Sequence, residues 1–301
     1  MVVVGAWDGS NVHEDHITFL RQTRRLPGEN YVWARPPPEM EISPVPQDGE
    51  RVVFQSHFIR GLGLPASDFL CAFLQFYRLQ PHHLTPNMVV LLSAFVTLCE
   101  GYLAILPTLE LWGGELFYTK LSTAVKNEAA QCGAFIMVRR PGAGNCFPAI
   151  NLTQSVKLWQ RSYFYVKNVH LDHDFVNLPT YKAGPPAKPR TNWTFKPKTL
   201  SAASTIVVAR LREMTESEGL KASDLLTTFV VRRVLPLQTR PHMISRMSGH
   251  QDPCRMCTKE MPDAEVARLV NFISNCKLSE GEWQFGKRSY SRANPPPAVS
   301  P

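Results

Sequence analysis

The stretch of residues from His57 to Trp112 reads HFIRGLGLPASDFLCAFLQFYRLQPHHLTPNMVVLLSAFVTLCEGYLAILPTLELW, and its pattern predicts a helical unit. Its first part predicts a helix that Ser67 can cap, because apolar side chains then recur at helical spacing and form one stripe. The pattern breaks from Leu79 to Leu84. The residues of the stripe are Phe69, Leu70, Phe73, Leu74, Phe76 and Tyr77.

Two further helices are predicted in the same stretch. Thr85 followed by Pro86 favours a helix start, because threonine can accept a first-turn amide hydrogen bond and proline lacks the N–H that would go unpaired. We expect this second helix to run to about Leu106, where Pro107 ends it. Thr108 can cap a third helix, whose apolar residues are Leu109, Leu111, Trp112, Leu116 and Phe117.

The run from Met88 to Leu106 is apolar enough to raise the alternative of a membrane span. Glu100 lies inside it, Ser93 and Thr97 dilute it, and the flanking helices have apolar faces that need a protein partner. A helix buried in protein is therefore predicted. The apolar residues 1–7 include no basic residue and are followed at once by Asp8, so the sequence does not have the pattern of a secretory signal. We therefore expect an intracellular protein, cytoplasmic or nuclear and not secreted.

The pattern changes towards strands after residue 130. Gly133 to Arg140 is prone to form a strand, Pro141 to Asn145 supplies a glycine-containing turn, and Cys146 to Ile150 is predicted to return as the hairpin partner.

A clearer strand is predicted from Trp159 to Lys167. Tyr163 and Tyr165 would lie on one face and Phe164 and Val166 on the other, which is typical of a half-buried strand. Alternatively, the two tyrosines and their basic neighbours could form a platform on which single-stranded bases stack.

These patterns predict an α+β fold: a mainly helical N-terminal core with a three-helix unit, followed by a small antiparallel sheet and further helices. The further helices are predicted at Ser201 to Met214, Ser223 to Leu235 and Asp263 to Asn275. Proline clusters and the change of pattern divide the chain into a Pro-containing lead-in at 1–50, a helical region at 51–130, a basic α+β region packed on or beside it at 131–285, and a Pro-rich disordered tail at 286–301.

The charge of the chain is distributed unevenly. The net charge of +8 divides into −4 for residues 1–130, with 9 Lys+Arg and 13 Asp+Glu, and +12 for residues 131–301, with 24 and 12. A positive region can neutralise phosphates and release their counterions, so RNA or DNA is an expected partner of the second half. The alternative is a soluble surface that happens to be basic.

The most concentrated arginines are the candidate nucleic-acid-binding residues, because a guanidinium can contact a phosphate through two hydrogen bonds. The alternative is a solvated helix end, where cations interact favourably with the helix dipole. These residues are Arg232, Arg233, Arg240 and Arg246.

Two groups have the residue types of metal ligands. The denser one, which an exposed acidic turn explains equally well, is His170, Asp172, His173 and Asp174. A single CxxC pair is weak support for zinc, and its members here are Cys254 and Cys257. We therefore predict no metal, no other cofactor and no small-molecule substrate. Seven cysteines, an odd number without an export signal, predict reduced thiols.

Several segments resemble the gypsy-type transposon domain proteins that occur in many copies in grass genomes and are often labelled transposases. The resemblance extends from about Trp7 to Pro297. It implies a retrotransposon-derived plant protein and carries over no catalytic residue. The segments are WDGSNVHEDHITFLRQTRRLP (7–27), GERVVFQSHFIRGLGLPASDF (49–69), LCEGYLAILPTLELW (98–112), QSVKLWQRSYFYVKN (154–168), TTFVVRRVLPLQTRPHMISRMSG (227–249), EWQFG (282–286) and NPPP (294–297).

The sequence contains no convincing motif of a mobile-element enzyme, neither a paired-aspartate turn, nor three acids spaced to hold divalent metal, nor Asp-Ser/Thr-Gly. We expect a non-enzymatic structural or capsid-precursor-like protein that binds nucleic acid through its basic second half. One alternative is a protein–protein interaction module, self-association included, with no nucleic-acid role. The other is a transposase that processes DNA.

Overall fold

The computed structural model describes residues 7–22, 25–103, 105–121, 131–133, 135–150, 152, 156–186, 201–229, 264, 267, 268 and 271. These residues form an α+β fold, as predicted. The helices are α1 (Glu14–Gln22), α2 (Gln55–Ile59), α3 (Asp68–Tyr77), α4 (Pro86–Thr97), α5 (Ala202–Glu216) and α6 (Ala222–Phe229). The strands are β1 (Val32–Arg35), β2 (Arg51–Phe54), β3 (Phe117–Leu121), β4 (Phe135–Arg139) and β5 (Tyr163–Asn168).

The three-helix unit is confirmed, and its predicted caps start the helices. The hydroxyls of Ser67, Thr85 and Thr108 each accept a hydrogen bond from the backbone N–H three residues further on, at 3.2, 3.4 and 3.1 Å. The second helix ends earlier than predicted, since α4 stops at Thr97 and a π-helical turn, Leu98–Leu103, follows. The third helix is a π-helical turn, Glu110–Leu116.

The hairpin prediction was wrong in its pairing. Strand β4 pairs with β3, in the register Phe117↔Arg139 to Leu121↔Phe135, and Cys146 to Ile150 forms no strand. Phe117, predicted as an apolar residue of the third helix, instead has an extended backbone and begins β3 opposite Arg139, and its ring stacks on Trp112 with centroids 4.2 Å apart. Residues 146–150 instead follow a 3-10 turn, Ala143–Asn145, that buries Cys146 and Phe147 in the core.

The predicted strand at 159–167 is confirmed from Tyr163 onwards as β5, which occupies the centre of a three-stranded antiparallel sheet of order β1-β5-β2. Its predicted start was wrong, because Trp159–Ser162 forms a 3-10 turn. The expectation that it is half-buried was wrong, since four consecutive side chains, Tyr163 to Val166, are 0% exposed. Phe164 and Val166 face the main helical core. Tyr163 and Tyr165 face a second cluster that contains Cys132 and Trp159. Rings buried in this way are not an open platform for bases.

The loop between β1 and β2 satisfies the polar groups of the tyrosine face. Tyr163 donates its hydroxyl to the Glu41 carbonyl at 2.7 Å, and Tyr165 donates to the Glu41 carboxylate. At the base of the loop, Arg35 and Glu50 form a bidentate ion pair. Arg35 donates from Nε to Glu50 Oε1 at 2.7 Å and from Nη2 to Glu50 Oε2 at 2.8 Å. Glu50 is 2% exposed, so this pair is a buried and fully engaged contact.

Residues 1–50, predicted as a lead-in, supply α1 and β1 to the folded core. Ile17 and Leu20 of α1 are buried, and Val32 of β1 pairs with Asn168. The backbone N–H of Asn11 also donates to the Arg161 carbonyl beside β5 at 2.7 Å. The lead-in is therefore packed against the region after residue 131.

The predicted helix at 201–214 is confirmed as α5. Ser201 caps it, accepting from the Ser204 N–H at 3.1 Å. The helix predicted from Ser223 is present as α6, which the structure describes as far as Phe229; it is tied to the core where the Tyr102 hydroxyl donates to the Asp224 carbonyl at 3.0 Å. The remainder of that prediction, and most of the helix predicted at 263–275, lie outside the described residues.

Trp112 is the centre of the aromatic core. It is 0% exposed, and its ring centroid lies within 6.2 Å of those of four phenylalanines: Phe69, Phe73, Phe95 and Phe117. Its indole Nε1 is buried without a hydrogen-bond partner among the described residues. No helix in the described ranges combines the length and apolarity needed to cross a bilayer.

We predict different costs for two truncations of this ring. Trp112→Ala removes the whole contact set and should lower the free energy of unfolding by about 3 to 5 kcal/mol. Trp112→Phe keeps an aromatic ring and removes an unpaired buried donor, so its cost should stay below about 1.5 kcal/mol. Urea unfolding followed by circular dichroism measures both. Equal costs would show that the indole is not packed as described.

Candidate functional site

Two histidines fix the segment of residues 174–184 onto the core. His82 and His83 lie in a 3-10 turn, Pro81–His83, and both place Nε2 near the Gly184 carbonyl, at 3.3 and 3.1 Å. The Gln80 N–H donates to His83 Nδ1 at 2.9 Å, so the ring proton of His83 is on Nε2 and can be donated to Gly184. Gly184 has φ +110°, which favours glycine at this position.

A third buried histidine lies beside them. His57 Nε2 is 3.0 Å from the Leu84 carbonyl, and its ring stacks on Trp159 with centroids 5.2 Å apart. Burial lowers the pKa of His57 to about 3, that of His82 to about 3 and that of His83 to about 4. All three rings are therefore neutral at physiological pH.

Asp174 organises the start of the 174–184 segment. Its Oδ1 accepts hydrogen bonds from the N–H groups of Val176 and Asn177, at 3.0 and 2.7 Å, and from Asn168 Nδ2 at 2.7 Å. Burial disfavours its charged form, but these hydrogen bonds outweigh burial and lower its pKa. Within the acid- and histidine-rich run at 170–174, Asp174 thus has a turn-forming role. The described residues contain no group of three or more His, Cys, Asp or Glu side chains placed to hold a metal ion.

The same segment is then joined to α3. Asn177 donates through Nδ2 to the Ala66 carbonyl at 2.9 Å, and Cys71 donates its thiol to the Asn177 carbonyl at 2.9 Å. Burial is the main cause that raises the pKa of Cys71 to about 12, so this thiol stays protonated. Further along, the Lys182 N–H donates to Gln80 Oε1 at 3.3 Å.

A groove of about 690 Å³ lies between α3 and residues 177–182, and we call it the α3 groove. Its apolar lining comes mainly from Leu74, Leu79, Leu178 and Pro179. Its polar lining comes from Gln75, Arg78, Gln80, Asn177 and Lys182, with Cys71 at one end. The Arg78 and Lys182 residues are exposed, so both cations are available at the rim.

Arg78 ends α3 in a left-handed conformation, with φ +53°. The Leu79 N–H bonds the Leu74 carbonyl at 2.7 Å and the Arg78 N–H bonds the Gln75 carbonyl at 3.2 Å, which is the Schellman pattern of helix termination. Glycine is the usual residue at this position, since the left-handed region costs other residues about 1 to 2 kcal/mol. An arginine at the rim of the groove thus occupies a position where glycine is favoured.

The residues of α3 that line this groove, and residues 78–80 that follow them, fall in one stretch of the chain. Residues 52–119 match the family model described as "Putative gypsy type transposon". The match confirms the resemblance for this stretch, which runs from β2 to β3. No curated protein and no solved structure matches the chain significantly.

The gypsy-type domain therefore supplies one wall of the groove, and residues outside the match supply the other. The candidate arginines 232, 233, 240 and 246, and the cysteine pair 254 and 257, lie outside the described residues. The groove is not predicted from the sequence, because the proline cluster from Pro179 to Pro197 is typical of a linker or an extended arm. The available signal was the His82-His83 pair directly after Pro81, in a stretch otherwise dominated by apolar residues.

We predict that acid destabilises this arrangement. Unfolded histidine has a pKa of about 6.5, so below that pH the unfolded chain binds protons that the folded chain, with its lowered histidine pKa values, does not. The free energy of unfolding is therefore unaffected by these histidines above pH 6.5, and it decreases as the pH falls below that value. At pH 5 each of the three imidazoles should lower the free energy of unfolding by about 2 kcal/mol. Urea unfolding at pH 7.5 and pH 5 measures the difference.

The matched variant is His82→Phe, because His83 still donates to Gly184. Between pH 7.5 and pH 5 this variant should lose about 2 kcal/mol less stability than the parent protein. An identical pH dependence in both proteins would mean that His82 is not buried as a neutral ring.

Proposed function

We propose that this is a non-enzymatic, retrotransposon-derived protein that binds nucleic acid through basic segments carried by a nearly neutral folded core. The observation that carries the proposal is how charge divides between the described residues and the rest. The described residues contain 17 Lys+Arg and 18 Asp+Glu, whereas the remaining residues contain 16 and 7. The excess positive charge thus belongs to sequence outside the described core.

Several arginines of the core already form hydrogen bonds or ion pairs within it, which supports the assignment of phosphate binding to residues outside the core. Arg35 pairs with Glu50, Arg161 Nε donates to Asp8 at 2.6 Å, and Arg210 Nη1 donates to Glu213 at 2.8 Å. The Arg51 Nε donates to the Leu178 carbonyl at 2.9 Å. A guanidinium held in this way contributes less to phosphate binding than one with free donors.

The basic sequence outside the core is concentrated in two places. Residues 187–200 contain four Lys+Arg and no acid, with Trp193 and Phe195 between them. Residues 230–250 contain four arginines and no acid, and they include the candidates at 232, 233, 240 and 246. Lys and Arg neutralise phosphates, and aromatic rings can stack on unpaired bases. Single-stranded RNA or DNA is therefore the partner that this composition favours.

The α3 groove favours the second candidate function, a protein–protein interaction module. A concave surface with an apolar floor and a polar rim fits a polypeptide segment better than a duplex. The two functions are compatible, because they use different residues.

We predict that binding of a fluorescein-labelled 20-mer of single-stranded RNA weakens steeply with salt, by about 0.7 logarithmic units of affinity per decade of salt for each phosphate contacted. Arg232→Glu with Arg233→Glu should weaken binding at every salt concentration and reduce that slope. Fluorescence anisotropy between 50 and 300 mM KCl measures both quantities.

The matched control reverses two exposed cations of the folded core, Arg212→Glu with Lys221→Glu, which changes the net charge by the same amount. It should leave the slope close to that of the parent protein. Equal losses in both double variants would contradict a localised nucleic-acid contact, and binding that is absent or independent of salt would contradict the nucleic-acid function itself. Cleavage or joining of DNA strands in Mg²⁺ or Mn²⁺ would contradict the non-enzymatic part.

A further inference from the structure

We propose that the α3 groove binds a short segment of a partner protein. This segment contains an acidic residue next to aliphatic residues. The site is distinct from the basic segments proposed to hold nucleic acid. Its volume of about 690 Å³ lies within the range of about 300 to 1,000 Å³ that is usual for ligand sites.

The floor of the groove is apolar. Leu74, Leu79 and Leu178 beneath it are 1%, 2% and 6% exposed, so only their edges and the half-buried Pro179 are open to an aliphatic group of an occupant. The described residues that line the groove include no aromatic ring, so a base would find no stacking partner there. This favours a peptide over a nucleic acid as the occupant.

Charge gives the groove a direction. Cys71 and Arg78 lie two turns apart on α3, a rise of about 10 Å, and they mark its two ends. Arg78 and Lys182 line the groove, whereas Asp68 and Asp174 act electrostatically on Cys71 at the other end. An acidic side chain of the partner is therefore expected at the Arg78 end, where complementary charge also disfavours a basic partner.

The amides of the rim can hold the backbone of such a peptide. Gln80 accepts the Lys182 N–H through Oε1, so its NH₂ group is the part of this amide that can donate to a peptide carbonyl. Gln75 is exposed on the same face of α3. Fixed donors and acceptors beside an apolar floor are the usual arrangement for binding an extended segment.

The conformation of Arg78 is an independent argument that its side chain has a use. A residue other than glycine in the left-handed region carries backbone strain, and such residues cluster at binding sites. Arg78→Gly therefore removes the guanidinium while relieving the backbone. The variant should unfold at a temperature equal to or higher than that of the parent protein, so a loss of binding cannot be attributed to misfolding.

The test uses the full-length chain as the target for selection from a random octapeptide display library. We expect the enriched sequences to contain Asp or Glu together with Leu, Ile or Val. A fluorescein-labelled enriched peptide should bind Arg78→Gly about tenfold or more weakly than the parent protein, as expected for a charged hydrogen-bonded contact. Lys182→Ala should also weaken it, and Arg78→Lys should retain more affinity than Arg78→Gly.

A double-mutant cycle assigns the contact. Replacing the acidic residue of the peptide with its amide should weaken binding to the parent protein, and should have little further effect on Arg78→Gly, because the two changes remove one interaction. Exposed Arg212→Gly in α5 is the control for a distant loss of charge, and it should leave peptide affinity unchanged.

Three results would overturn the proposal: no enrichment from the library, enrichment of peptides without acidic residues, or equal affinity for the parent protein and Arg78→Gly. If Arg78→Gly binds single-stranded RNA more weakly than the parent protein, and no peptide binds the parent protein, the groove would be assigned to nucleic acid. None of these results depends on Arg232 and Arg233, so failure here is distinguishable from failure of the nucleic-acid proposal.

Discussion

Strand β5 has no solvent-facing side between Tyr163 and Val166, and the rest of the fold depends on how that strand is covered. Its neighbours, β1 and β2, come from the first 54 residues of the chain, so the pairing closes a loop of more than one hundred residues. One face of β5 completes the helical core, and the other is covered by Trp159 and by the loop that carries Glu41. The two tyrosine hydroxyls can be buried because that loop accepts their hydrogen bonds.

This pairing explains why the gypsy-type domain is part of a larger unit. The match at 52–119 begins within β2, a strand whose hydrogen-bonding partner lies after residue 160. Its buried histidines, His82 and His83, likewise reach the carbonyl of Gly184. The α3 groove exists because the 174–184 segment is held in this way. A nearly neutral core of this kind can present a groove on its surface and carry strongly basic sequence elsewhere.

The sequence predicts the helices of the core better than it predicts their assembly. Ser67, Thr85 and Thr108 are local signals, since each cap acts within its own first turn, and all three are found as expected. Strand pairing is not local. Strand β4 pairs with the strand before it, β3, and not with the predicted partner after it, and β5 pairs with β1 and β2, which lie more than one hundred residues earlier.

The candidate site was hidden from the sequence for the same reason. The prolines at 179–197 are typical of a linker or an extended arm, and nothing local in the sequence indicates that Asn177 will bond to Ala66 or that Gly184 will contact two histidines. Arg78 carries no sequence signal, because its left-handed conformation depends on how α3 terminates. The uneven distribution of charge, in contrast, can be read from the sequence alone, because it does not depend on how the chain folds.

We expect β5 and the helices of the gypsy-type domain to unfold as one cooperative unit. Native-state hydrogen exchange, followed by mass spectrometry at increasing urea concentration, measures this cooperativity. The amides of β5, α3 and α4 should open with the same free energy and the same urea dependence. Exchange of β5 at low urea, while α3 and α4 stay protected, would contradict the account.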